Sequence, residues 1–382
     1  MSKLLYITVP SFFDLEISLI RELSKLIDVK VMLIVSPTAM RGSAFSIDKL
    51  ESETRIYRGV EYSPIKKYSN LVDLGRWYIL NNADNSISSV FTLGRMVNRF
   101  IKENEVDIIH CTSFGKTATG MLPFLMKHKH KLLTVHDPVP HEKKSWRTHF
   151  LHALTIKLYK NILLLADTQV KEFIKMFHVN AKNIHYSRLS VYDFLKTYDL
   201  STNPYGKYIL FFGRIEHYKG VDMLIDAYIT SKAKSEGIKL VIAGKGKIET
   251  CYPYQRDDHI VVLNRYIEND ELASLISNSM FVALPYRSAT QSGVLMSAYA
   301  FPKAVLATDT GNNAEYIQNG KNGILIKPNS VEECTRGINE MLDSDISVFE
   351  RNIEANYFGH GKYSWEYIAK ELVETYHAIL SS

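Results

Sequence analysis

Long apolar runs are missing from this chain of 382 residues. No window approaches the roughly 18 uncharged apolar residues that a membrane-spanning helix needs. The longest apolar run, Ile162-Leu163-Leu164-Leu165-Ala166, has only a strand's length. The opening MSKLLYITVPSFFD breaks too soon for a secretory signal, so a cytoplasmic protein is expected. Cysteine is scarce. Cys111, Cys251 and Cys334 are far apart and odd in number, which excludes a disulfide framework and zinc spacing and reads as buried reduced thiols. The first strand runs into PSFFD without a glycine fingerprint, which argues against a dehydrogenase. LVIAGKG (240–246) is neither a GxGxxG nor a P-loop. No basic stripe interleaves with aromatics, so no nucleic-acid partner is expected. The 13 histidines include HKHK (128–131) and HFLH (149–152), but these lack paired acidic or cysteine ligands; no metal and no tightly bound cofactor is expected.

What is present is the composition of a globular protein, 46% hydrophobic and 23% charged, in a chain long enough for two domains. Strand and helix patterns alternate. KLLYITV (3–9) precedes a helical period in Leu15, Leu19, Leu23 and Leu26, and VKVMLIV (29–35), VDIIHC (106–111), KLLTVHD (131–137) and NILLLAD (161–167) read as further strands. The segment 40–100 is less regular and reads as an excursion from the first sheet. The turn formers YDLSTNPYG (198–206) read as a linker, after which KYILFFGR, IKLVIAG, HIVVLN, MFVALPY and AVLATD restart the alternation. The expectation is an α/β chain with two parallel sheets covered by helices: a domain over 1–200, a second over 201–363, and a terminal helix over 364–382 packing back on the first. Residues 1–200 hold 28 lysines and arginines against 19 acidic residues, whereas the remainder holds 18 against 22. That basic first half, together with aromatic stretches such as WYIL (77–80), points to an anionic partner and to peripheral contact with the inner face of a membrane.

Ligands of open α/β sheets bind beyond the carboxyl ends of strands, so the polar residues there are the candidates. In FFGRIEHYKGVD a strand ends at Gly213, and Arg214 and Lys219 precede a helix. A guanidinium fork, an ammonium and a helix N-terminus make a reasonable diphosphate clamp, although two solvated cations paired with Glu216 or Asp222 would look the same. In SATQSGVLMSAYAF (288–301) small polar residues lead to a helix beginning with Gly293 and Val294, whose amides a ligand can reach; Ser292 as a plain cap is the alternative. His136 and Asp137 end a strand in TVHDPVPH, where a histidine can bond a sugar hydroxyl or serve in acid–base work, or be merely structural.

FFGRIEHYKGVDMLIDAY, LVIAGKGKIE, VVLNRYIENDELASLISNSMFVALPY and SGVLMSAYAFPKAVLATDTGNNAEYIQNGKNGILIKP occur in the order found in retaining glycosyltransferases of family 4. IIHCTSF, LLTVHDPVPH and ILLLADTQVKEFI resemble that family's acceptor-side strands. The resemblance implies the GT-B fold, two Rossmann-like domains with parallel sheets facing across a cleft. It implies transfer of a sugar from a nucleotide-diphosphate sugar (a UDP- or GDP-sugar co-substrate) to a glycan or lipid-linked saccharide acceptor, with retention of configuration, in surface polysaccharide assembly. By the same resemblance, Gly213, Arg214, Lys219, Ser292, Gly293, Val294 and Glu315 hold the donor's diphosphate and sugar. Gly244, Asn264, Arg265 and Tyr266 surround the base, and His136 touches the transferred sugar. Where the family usually carries glutamates, this chain has Thr290 and Ala298. Thr290, Gln291 and Ser292 are then expected to take over the sugar hydroxyls. Two alternatives stay open, a catalytically impaired nucleotide-sugar-binding scaffold and a nucleotide-sugar epimerase on the same fold.

Overall fold

The computed structural model describes residues 2–40, 42, 45–112, 115–136, 146–165, 170–200, 203–289 and 292–382, without the side chains of 146–149. The chain divides into two compact units. Unit 1 is Met1–Leu189 with Trp365–Ser382, and unit 2 is Ser190–Ser364.

Unit 1 is built on eight strands: β1 (Lys3–Thr8), β2 (Asp28–Val35), β3 (Arg55–Arg58), β4 (Trp77–Asn81), β5 (Ile108–Cys111), β6 (Lys131–Val135), β7 (Asn161–Leu164) and β8 (Ile184–Tyr186). They lie in the order β3-β4-β2-β1-β5-β6-β7-β8, parallel except for the antiparallel pair β3/β4. The central strands are apolar on both faces, as strands covered by helices on either side must be. Helix Ile87–Glu103 shows why one flank is covered. Val90, Leu93, Val97 and Ile101 recur every three or four residues and are buried against Leu5, Ile7 and Met32. Each such side chain contributes roughly 1.5–3 kcal/mol on burial. The terminal helix Trp365–Leu380 packs on helix Phe13–Leu26 through Trp365, Ile368, Leu372, Tyr376 and Ile379.

Two expectations change here. WYIL is no membrane-facing stretch: it is β4, and Trp77, Ile79 and Leu80 are buried because the strand pairs on both sides, with β2 and β3. Cys111 and Cys334 are buried, but Cys251 is exposed in a loop. Among the described residues no helix is long and apolar enough to cross a membrane.

Unit 2 carries β9 (Tyr208–Phe212), β10 (Lys239–Ala243), β11 (Ile260–Leu263), β12 (Phe281–Leu284), β13 (Val305–Thr308) and β14 (Gly323–Ile326). Their order is β11-β10-β9-β12-β13-β14, parallel throughout. The chain winds one way from β9 to β11 and the other way from β12 to β14. The winding therefore reverses between β9 and β12, and the crevice beyond their carboxyl ends is where such sheets bind ligands.

Candidate active site

The loop leaving β9 is packed by three glycines. Gly213, at φ +115, has its own N–H bound to Ala243 O at 3.0 Å, and a Cβ on Gly244 would lie 1.8 Å from Gly213 O. Gly244 thus approaches this chain's own backbone, which joins the exits of β9 and β10. Gly220, in the left-handed region at φ +66, opens helix Val221–Ile229, and a Cβ there would meet Pro285 O at 2.1 Å. The loop 213–220 consequently presses on the exit of β12, across the winding reversal.

Arg287 fixes that contact. Its guanidinium grips Asp222 with two bonds of 2.8 and 2.7 Å and donates to His217 O at 2.9 Å. Its N–H donates to Tyr218 O at 2.7 Å. Asp222 is therefore spent on Arg287. Among the described residues neither Arg214 nor Lys219 meets a carboxylate. Arg214 is exposed, and its Nη2 donates to the Tyr218 hydroxyl at 3.3 Å. Lys219 is half-buried with Nζ 3.7 Å from the centre of the Tyr286 ring. Burial, and secondarily the charge of Arg214, pull its pKa down to about 8. Two cations with no counter-charge at a sheet's winding reversal favour an anionic ligand.

Helix Gly293–Ala300 begins beside them. A Cβ on Gly213 would touch Val294 Cγ2 at 3.4 Å. Ser292 does cap the helix, accepting from Leu295 N at 3.2 Å. The amides of Gly293 and Val294 precede the first intrahelical bond, which leaves them and the helix dipole for an anion. Space at Gly293 is taken on one side by Tyr192, whose hydroxyl would lie 2.9 Å from an added Cβ. Thr290 and Gln291 lie outside the described residues, as do Asp137 and the prolines after it.

The residues expected around a base are mostly engaged. Asn264 is clamped on Gly246, accepting from its N–H at 3.1 Å and donating to its O at 2.9 Å. Arg265 forms a two-bond pair with Glu271, both at 2.7 Å. Tyr266 is 60% exposed. Glu315 sits on the short helix after β13, where its Oε2 accepts from Asn312 Nδ2 at 3.1 Å and its O accepts from the Tyr363 hydroxyl at 3.0 Å.

A family described as "Glycosyl transferases group 1" matches residues 199–357, which takes in every one of these loops. Residues 199–357 are thus similar to the group 1 glycosyltransferases. The GDP-mannose:glycolipid 4-beta-D-mannosyltransferase of Xanthomonas campestris is 30% identical over 189 residues, 47% of this chain and 50% of that enzyme. The alpha-D-kanosaminyltransferase of Streptomyces kanamyceticus is 23% identical over 302 residues, 71% of this chain and 77% of that enzyme. The chain spans about half the length of several curated relatives that it matches, the Xanthomonas enzyme among them. The crystal structure of Anabaena HepE in complex with UDP superposes with a TM-score of 0.68 at 15% identity, covering 99% of this chain and 100% of that one. The whole chain thus has the two-sheet GT-B architecture of glycosyltransferases.

Unit 1 places His136 one residue beyond β6, nine-tenths buried and stacked on Phe12 with ring centres 3.9 Å apart. Beneath it His110 lies between the Tyr376 hydroxyl, 2.7 Å from Nδ1, and the Thr134 hydroxyl, 2.6 Å from Nε2. Burial, with His136 adding to it, lowers the His110 pKa to about 3, so this ring is neutral. Sequence reasoning missed Tyr192, Arg287, Phe12 and Tyr376, whereas His110 ends a strand as His136 does. Among the described residues no cluster of three or more histidine, cysteine or acidic side chains is placed to hold a metal.

Proposed function

We propose that this chain transfers a sugar from a nucleotide-diphosphate sugar to a hydroxyl of a glycan or lipid-linked saccharide, with retention of configuration, in surface polysaccharide assembly. The reading rests above all on Arg214 and Lys219, two cations without a carboxylate partner at the exit of β9, beside an open helix N-terminus. It is supported by the Xanthomonas relative, whose name records GDP-mannose and a glycolipid, and by HepE, whose crystals hold UDP.

As the bond to the sugar breaks, negative charge grows on the departing diphosphate. Arg214, Lys219 and the amides of Gly293 and Val294 neutralise it, each preorganised donor lowering the barrier by about 3 kcal/mol. The Ser292 hydroxyl still has a proton to donate, and with Thr290 and Gln291 it meets the sugar's hydroxyls. Tyr266, with its exposed ring, stacks on the base, while Asn264, Arg265 and Gly244 shape the loops around it. No carboxylate flanks the reacting carbon at Thr290, so the leaving phosphate itself takes the acceptor's proton on the same face. Arg214→Ala should abolish transfer from a panel of UDP- and GDP-sugars while circular dichroism stays unchanged; unaltered turnover sinks the clamp. Retention is checked by the anomeric coupling of the product in proton NMR. It is a demanding check, because the two relatives' names record a beta and an alpha linkage.

Two side readings have their own support. Loss of both family glutamates, at Thr290 and Ala298, favours a binding scaffold, which would hold a nucleotide sugar without turning it over. Peripheral membrane contact draws on helix Trp146–Tyr159, where Phe150, Leu151 and Leu154 are exposed within a stretch from Lys143 to Lys160 that has five basic residues and no acidic one. Phe150→Ser with Leu154→Ser should reduce sedimentation with anionic liposomes at low salt, and equal sedimentation removes that surface.

A further inference from the structure

Glu16 is 1% exposed, yet among the described residues no lysine or arginine pairs with it. It belongs to the first turn of helix Phe13–Leu26, on the face that also buries Phe13, Ile17 and Ile20. Desolvating a carboxylate there costs several kcal/mol that an apolar residue would not incur. The helix dipole favours an acid in the first turn, but it does not explain what surrounds this one. Oε2 accepts from the Thr8 hydroxyl. The Tyr6 phenol faces the same carboxylate; burial first, and Glu16 next, hold it well above its ordinary range. Oε1 has no hydrogen-bond partner and lies 3.5 Å from Nε2 of His136. Both nitrogens of that buried ring are also without a partner. The pair lines a small cavity with Thr134, Ser187 and Arg188.

These contacts dictate a tautomer. A carboxylate only accepts, and its occupied oxygen already serves Thr8. The remaining oxygen calls for a proton on Nε2, which leaves Nδ1 as a lone-pair acceptor. Separation beyond hydrogen-bond length without ligand is usual for pairs that tighten when a ligand orders them. We propose that Glu16 is the positioning residue for His136. It fixes the imidazole as the Nε2–H tautomer so that Nδ1 accepts a hydrogen bond from a sugar hydroxyl. The proposal rests on the glycosyl-transfer reading given above.

The test is nitrogen-15 NMR of the histidine-labelled full chain together with steady-state transfer kinetics. In the parent protein His136 should show a protonated Nε2 and a bare Nδ1. In Glu16→Gln the new carbonyl takes the Thr8 proton and the amide turns toward Nε2, so the ring proton should move to Nδ1. Transfer should then lose roughly 10- to 100-fold in kcat, the loss seen when a metal-binding histidine is deprived of its orienting partner, with donor KM within about twofold. An unchanged tautomer with unchanged kcat overturns the proposal. If Glu16→Gln does not fold, Thr8→Val decides. It should populate the second tautomer in part and lower kcat to a smaller extent, and parent-like values in both readouts overturn the idea. Should the parent protein turn over no nucleotide sugar, the glycosyl-transfer reading fails, while the tautomer measurement still judges the Glu16–His136 pair.

Discussion

The two units arrange polar chemistry in opposite ways. In unit 2 the reactive side chains stand on loops, and glycines clear the room: Gly220 and Gly244 each lie where a Cβ would press on another strand's exit. Of the two cations there, Arg214 is exposed to water, while burial and the charge of Arg214 draw the Lys219 pKa down to about 8. In unit 1 the polar groups sit on strand and helix faces inside the core, and Tyr6, Glu16, His110, Thr134 and His136 are all nine-tenths buried or more. Water reaches them little, so hydrogen bonds within the group matter more than solvent, as between His110 and the hydroxyls of Thr134 and Tyr376. An exposed loop site tolerates a change of partner, whereas an interior network does not.

That difference also explains what could be read from the sequence. Most parallel strands of both units were legible because helix-covered parallel strands are apolar runs with little ambiguity, whereas the short edge strands β8 and β14 were not read. Arg214, Lys219 and Gly293 were legible because loops keep their spacing local, within about a dozen residues of a strand end. His136 could be named at its strand end, but its pairing with Glu16 was not legible, since 120 positions separate them and only the joining of β1 and β6 in one sheet unites them. A signal existed nonetheless. The period Leu15, Leu19, Leu23 and Leu26 left Glu16 out of account, yet the structure buries it with Phe13, Ile17, Leu19, Ile20 and Leu23. A charge inside a three-and-four apolar repeat was the clue. β3 and β4 stayed hidden because an antiparallel return breaks the strand-helix alternation that guided the reading. The engagement of Asn264 with Gly246 and of Arg265 with Glu271 is side-chain geometry that spacing does not encode.

The largest expected effect breaks unit 2 alone. Gly244 is at φ +155, a region essentially reserved for glycine, and an alanine Cβ would collide with Gly213 O. Gly244→Ala should cost more than about 3 kcal/mol. Trp77, Trp146 and Trp365 all lie in unit 1, so tryptophan fluorescence reports that unit while circular dichroism reports both. Urea unfolding of the variant should show loss of circular dichroism ahead of the fluorescence change. Coincident, parent-like transitions would mean that the glycine is dispensable.

The next effect reverses the order. Tyr376→Phe strips the partner from Nδ1 of His110 and leaves a buried polar atom unsatisfied, at about 1–3 kcal/mol. Here the tryptophan transition should move to lower urea first. A variant as stable as the parent would show that the interior network of unit 1 is looser than its hydrogen bonds imply.

The smallest effect asks whether the loop site is governed by solvent and ligand rather than by neighbours. The Lys219 pKa, drawn down to about 8 by burial and by Arg214, should rise when a diphosphate supplies the missing counter-charge. The sign follows from linkage. Below pH 8 the ammonium is already present and UDP or GDP binding is flat with pH. Above it the free protein has lost a proton that the complex regains, so affinity should fall roughly tenfold per pH unit until the bound-state pKa is passed. Between pH 8 and 9 the phosphates contribute nothing to this slope, since they are fully ionised with a last pKa of about 6. Calorimetry in buffers of different ionisation enthalpy should detect proton uptake near pH 8.5 in the parent and none in Lys219→Met. That variant should also bind more weakly at pH 7 and show no slope. A parent protein whose affinity stays level to pH 9.5 would place the ammonium away from the phosphates, and would leave Arg214 and the helix amides to hold the diphosphate alone.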